Sequence, residues 1–106
     1  MSNELKTKRL GVVGDEVEAA HFLDHGFGFC AVDDPHTCIE LPEGTRLQFK
    51  EPVEVYDGPD WDQSFEKIPP GMGTVGEESY WVIFDGMRGK RLLSPGGKAK
   101  IISLPS

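Results

Sequence analysis

The chain lacks the short signatures by which catalytic sites usually announce themselves. It has no glycine-rich phosphate loop closing on Lys-Ser or Lys-Thr, no nucleophile elbow and no zinc-protease helix motif. Cysteine is scarce, with two in the chain and no Cys-x-x-Cys spacing, so neither a zinc knuckle nor a multi-bridge scaffold is expected. No apolar run approaches the ~20 residues that cross a bilayer, and the opening Met1-Ser2-Asn3-Glu4-Leu5-Lys6 lacks the apolar segment of a secretory leader. The expectation is a cytoplasmic protein with no membrane partner, no cofactor and no enzymatic activity.

What is abundant is punctuation. Thirteen Gly and eight Pro in 106 residues, with 38% hydrophobic residues, suit short strands and many turns better than helices. The length provides for one domain with a modest core. The net charge of −7 is unevenly spread. Residues 1–9 sum to +2, residues 10–85 carry 17 acidic against 3 basic side chains for −14, and residues 86–106 carry +5. An acidic body argues against general binding to nucleic acid, which needs clustered Lys and Arg. A solvated surface also needs charge somewhere, and that simpler reading covers much of the pattern.

Residues 1–9 are polar and read as a flexible tail, and residues 10–106 as a single domain. Its first strand is expected at 10–13, ended by Gly14. The segment 15–23 is ambiguous. As a helix, Asp15 caps it and Gly26 stops it; as a strand, Val17, Ala19, His21 and Leu23 alternate with Glu16, Glu18, Ala20 and Phe22 and turn into Phe27, Phe29 and Ala31. Beyond the turn at 33–35, strands are expected at 37–41, 45–50, 53–56, 72–75, 79–84, 91–93 and 98–103. Pro42-Glu43-Gly44 and Ser94-Pro95-Gly96-Gly97 supply turns, the latter closing a hairpin. Residues 80–84 are apolar on both alternating faces, which places that strand centrally and covers it on both sides. The fold class expected is all-β or mainly β: residues 45–106 as an SH3-like small β-barrel, with residues 10–44 as an N-terminal hairpin or short-helix extension.

The second half of the chain resembles the small domain shared by the Mind bomb and HERC ubiquitin ligases. The matching residues are Gly58-Pro59-Asp60-Trp61, Gly73-Thr74-Val75, Trp81-Val82, Phe84-Asp85-Gly86 and the closing Gly96-Gly97-Lys98. The resemblance implies an SH3-like barrel that recognises protein ligands and has no catalytic activity of its own.

The candidate site is the loop 57–71. It sets Trp61 and Phe65 among Asp57, Asp60, Asp62 and Glu66, a surface suited to a protein partner presenting basic or Pro-containing segments. The structural alternative is that Trp61 and Phe65 fold back to plug one end of the barrel. A basic hairpin carrying Arg88, Lys90, Arg91, Lys98 and Lys100 is a second surface, through which an SH3-like barrel would touch nucleic acid. The acidic body raises a third idea, a nucleic-acid mimic of the kind mobile elements encode as inhibitors. The soft ligands His21, His25, His36 and Cys38 are candidates for zinc, provided that 15–25 is helical so that His21 and His25 share a face. Cys30, between Phe29 and Ala31, reads as a buried thiol. A Cys30–Cys38 disulfide requires their strands to pair, and a cytosolic setting favours reduced thiols. The favoured function is a non-catalytic adaptor or inhibitor that binds another protein through the Trp61 loop.

Overall fold

The computed structural model describes residues 2–3, 6–23, 26–56, 65–77 and 81–105, with the backbone alone for residues 2, 3 and 65. They form strands and turns, with no α-helix among the described residues. In chain order the strands are β1 Ser2–Asn3, β2 Thr7–Leu10, β3 Glu16–Phe22, β4 Gly26–Ala31, β5 Asp34–Glu40 and β6 Arg46–Phe49. They continue with β7 Val53–Tyr56, β8 Phe65–Ile68, β9 Gly71–Val75, β10 Trp81–Phe84, β11 Arg91–Leu93 and β12 Lys98–Ser103. All belong to one sheet, ordered β2-β5-β4-β3-β12-β6-β9-β10-β11-β7-β8, with β1 beside β3. The β1–β3 and β2–β5 pairs are parallel and the rest antiparallel. With a radius of gyration of 12.4 Å, so many strands must curl round a shared interior. The all-β expectation is met. The strand order starts at β2 and ends at β8, and it does not by itself define an SH3-like barrel.

One cluster of buried side chains draws on both halves of the chain. Val17 and Phe29 meet Ile39 and Leu41 from the first half, and Leu47, Phe49, Val82, Phe84 and Ile101 from the second. Phe49 and Phe84 stack at 5.0 Å between ring centroids. A smaller cluster, Ala20, Phe22, Cys30 and Cys38, lies on the other face of β3, β4 and β5. Both follow from period-two alternation: Phe29 and Ala31 point into the main core while Cys30 between them joins the second cluster.

Three expectations are corrected, and the open choice at 15–23 is resolved. No strand forms at 10–13 beyond Leu10: β1 Ser2–Asn3 and β2 Thr7–Leu10 come first, and all of their residues but Leu10 lie in the stretch read as a tail. Residues 16–22 are a strand, not a helix, because Val17 and Ala19 face one cluster while Ala20 and Phe22 face the other. A helix would spread those residues round its circumference, whereas a strand standing between two packed faces buries them all. β10 is central as expected, but Ile83 is 43% exposed, so one of its faces is partly open. Lastly, β11 and β12 do not form a hairpin. β11 pairs with β10 and β7, while β12 pairs with β3 and β6. The Ser94–Gly97 turn is a corner, held by Ser94 N–H to Glu54 O (2.9 Å), Gly96 N–H to Ala19 O (2.8 Å) and Ala19 N–H to Gly97 O (2.7 Å). It hands the chain from one part of the sheet to another.

Candidate functional site

Residues 10–15 cross one end of the core on a backbone fixed from several sides. Gly11 N–H donates to Glu40 O (3.0 Å), Gly14 N–H to Ile101 O (2.9 Å) and Ile101 N–H to Asp15 O (2.9 Å). Asp15 Oδ2 accepts from Val12 N–H and from Arg9 Nη1, each at 2.9 Å. The Arg9 hydrogen bond holds the Asp15 carboxyl below its ordinary pKa. Gly11 is pressed onto the interior, where a Cβ would come within 2.8 Å of Ile101 Cδ1 and 2.9 Å of Leu41 Cδ2. A larger residue here would have to displace the ends of the Ile101 and Leu41 side chains.

The result is an apolar rim that faces water. Leu10, Val12 and Val13 are 68%, 54% and 59% exposed. Ile102 in β12 and Leu104 just beyond it are also exposed, and the bonds between Ile101 and residues 14–15 keep Ile102 next to the rim. Contiguous exposed apolar side chains on an ordered backbone suit a surface that meets another macromolecule. The sequence carried a signal for it, the run Leu10-Gly11-Val12-Val13. It read as a strand because a short apolar run does not say which way its side chains face.

The sites expected from the sequence are dispersed. Asp57, Asp60, Trp61 and Asp62 lie outside the described residues, as does His25. Phe65 and Glu66 are not in a loop as expected but open strand β8, where Glu66 is exposed and accepts from Arg91 Nε at 3.0 Å. The basic residues fall into two separate groups. Arg91 is half-buried between Glu66 and the Arg88 carbonyl oxygen (2.9 Å), and Lys90 Nζ sits 4.6 Å from the centroid of the buried Trp81 ring. Lys98 and Lys100 stand opposite Glu18 and Glu16 across the β12–β3 ladder. With Val32, Gln48 and Lys50, Glu16 and these lysines line a groove of about 170 Å³. Its charges are mixed, which weakens it as a phosphate site.

The zinc reading loses its premise. His21 is in a strand, with its ring 5.1 Å edge-on from Phe27, and Cys38 faces the second cluster. Among the described residues no three His, Cys, Asp or Glu side chains converge to hold a metal ion. Burial raises the Cys30 pKa to about 11, and Cys38 is raised by burial too, so neither is a poised nucleophile at neutral pH. Asp34 is occupied locally: Oδ2 accepts from Thr37 Oγ1 (2.7 Å) and Oδ1 from His36 N–H (3.2 Å). Among the described residues no helix is long and apolar enough to cross a membrane.

Compared with known proteins, the chain has no match among family models, curated proteins or solved structures. The likeness to the Mind bomb and HERC domain therefore rests on its motif residues alone.

Proposed function

We propose that the protein is a non-catalytic binding module, an adaptor or inhibitor that docks onto another protein. The observation supporting this reading most strongly is the exposed apolar rim of Leu10, Val12 and Val13 on a hydrogen-bonded turn. The partner it fits has an apolar face and a basic surround, because residues 10–85 sum to −14; next to the rim itself, Glu40 is paired with Lys8 at 3.5 Å and Asp15 with Arg9 at 2.9 Å. The loop carrying Asp57, Asp60, Trp61 and Asp62 belongs to the proposal as a second contact; it leads into β8, at the opposite end of the strand order from β2. Binding nucleic acid through the basic residues is the weaker alternative, since Arg91 is tied to Glu66 and Lys90 to Trp81.

The test is affinity capture from the native cell with the wild-type chain, Val12→Asp/Val13→Asp and Trp61→Ala as baits. The reading expects one stoichiometric protein, weakened at least tenfold by the rim variant while its unfolding temperature stays within a few degrees. Recovery of nucleic acid instead, lost on replacing Arg88 and Lys90, would overturn it.

A further inference from the structure

We propose that Cys30 and Cys38 are a redox-active pair that forms a disulfide across the β4–β5 ladder when the protein meets an oxidising thiol–disulfide pool. Both are buried, and neither is in a disulfide. They are Cα partners in the antiparallel register, and both belong to the small cluster with Ala20 and Phe22. Residues directly opposite in an antiparallel pair have Cα atoms about 4.5–5.5 Å apart. A disulfide bridges Cα separations of about 4.4–6.8 Å, a span that a directly opposed pair satisfies. The register of the ladder shifts between Cys30 and Ala31, immediately beside the pair. Cys38 Sγ lies over Gly28 of β4, 3.9 Å from where a Cβ would sit, and the Phe22 ring packs against the same glycine, 3.5 Å from that point.

The oxidant class is a low-molecular-weight disulfide such as oxidised glutathione. A thiolate from one cysteine attacks a glutathione sulfur, the glutathione S–S bond breaks, and a mixed disulfide forms. The second thiolate then attacks the protein sulfur of that mixed disulfide and expels the other glutathione. Two protein thiols lose two electrons, the glutathione disulfide gains them, and both thiol protons end on the released glutathiones. Cys38 is the first attacker once the ladder opens, because β5 stands one strand from the sheet edge and β4 two. Burial raises both thiols, but Lys8 on the neighbouring edge strand β2 works against the rise at Cys38, where Glu40 adds to it. At Cys30, Glu18 from β3 adds to the rise, as do Cys38 and Asp34 from β5, while a backbone hydrogen bond opposes it. Both sulfurs are closed to solvent, so exchange proceeds through local opening of the ladder, and β5 is separated from the sheet edge by β2 alone.

The experiment equilibrates the folded chain in glutathione buffers running from fully reduced to fully oxidised. Samples are quenched in acid, alkylated in denaturant, weighed intact and peptide-mapped. The expected end product has lost two hydrogens, links Cys30 to Cys38, carries no glutathione and melts roughly 10 °C higher than the reduced chain. Two alkylatable thiols persisting in the fully oxidised buffer would overturn the proposal, as would a glutathione adduct or an intermolecular dimer as end product. A cross-linked chain that melts lower than the reduced one would overturn it too, because the native register would then not present the pair. Cys38→Ser provides the control: its remaining Cys30 thiol should stay unmodified in the folded state.

Discussion

Gly73 shows how much of this fold turns on single atoms. It pairs with Phe84 on one side and Leu47 on the other, and an added Cβ would fall 2.8 Å from Val82 Cγ1 and 3.3 Å from Phe49 Cε2. Val82 is β-branched and fully buried, so it has no rotamer into which to retreat. Gly73→Ala should therefore destabilise the protein by about 1–3 kcal/mol in urea unfolding. A change within experimental error would mean that the strands can move apart. Arg46 offers a second case. Its guanidinium grips Asp85 through Nη1 and Nη2, both at 2.8 Å, and Nη1 also donates to Thr74 Oγ1 at 2.7 Å. The hydrogen bond from Arg46 lowers the Asp85 pKa, and Thr37 and Arg9 do the same for Asp34 and Asp15. Each group binds protons more readily when unfolded, so its contribution is present above the ordinary carboxylate range and is lost as pH falls through the folded value. The urea midpoint should decline between about pH 5 and about pH 3, and Asp85→Asn should flatten part of that slope. An unchanged slope in Asp85→Asn would remove this ion pair from the account.

At the level of the element, β12 is the piece that joins the two halves. Lys98–Lys100 pair with Glu16–Glu18 of β3, and Lys100–Ser103 with Arg46–Gln48 of β6. Ile101 is fully buried where these ladders meet. Ile101→Ala is expected to cost about 2–5 kcal/mol and to lower fluorescence and circular-dichroism transitions together. Separate shifts of the two signals would show that the halves unfold independently. The legibility of elements followed a rule. Strands at 53–56, 91–93 and 98–103 were readable to the residue, because turn formers bound each of them. Residues 16–22 stayed open between helix and strand, because apolar residues on both faces of a strand blur the alternation that would separate it from a helix. The corner at 94–97 read as a hairpin turn for a related reason. Its Pro-Gly-Gly chemistry specifies a reversal of direction, while its bonds to Ala19 and Glu54 come from distant chain.

For the molecule as a whole, the proposed docking would draw on charge and on apolar surface at different steps. With a net charge of −7, association with a basic partner should slow as salt is raised, while dissociation follows the rim. Stopped-flow binding at low and high salt would separate the two: Val12→Asp/Val13→Asp should chiefly raise the off-rate. A rim variant that changes only the on-rate would assign the contact to charge alone.

Composition and punctuation were enough to determine an all-β chain with an acidic body, since strand length, turn chemistry and charge are local properties of the sequence. Three features depended on the assembled sheet: the partition of the basic residues into two groups, the pairing of Cys30 with Cys38, and the outward turn of Leu10, Val12 and Val13. Each depends on which strands become neighbours. That is settled by the register and packing of residues far apart in the chain, where a shift of one position would exchange buried side chains for exposed ones.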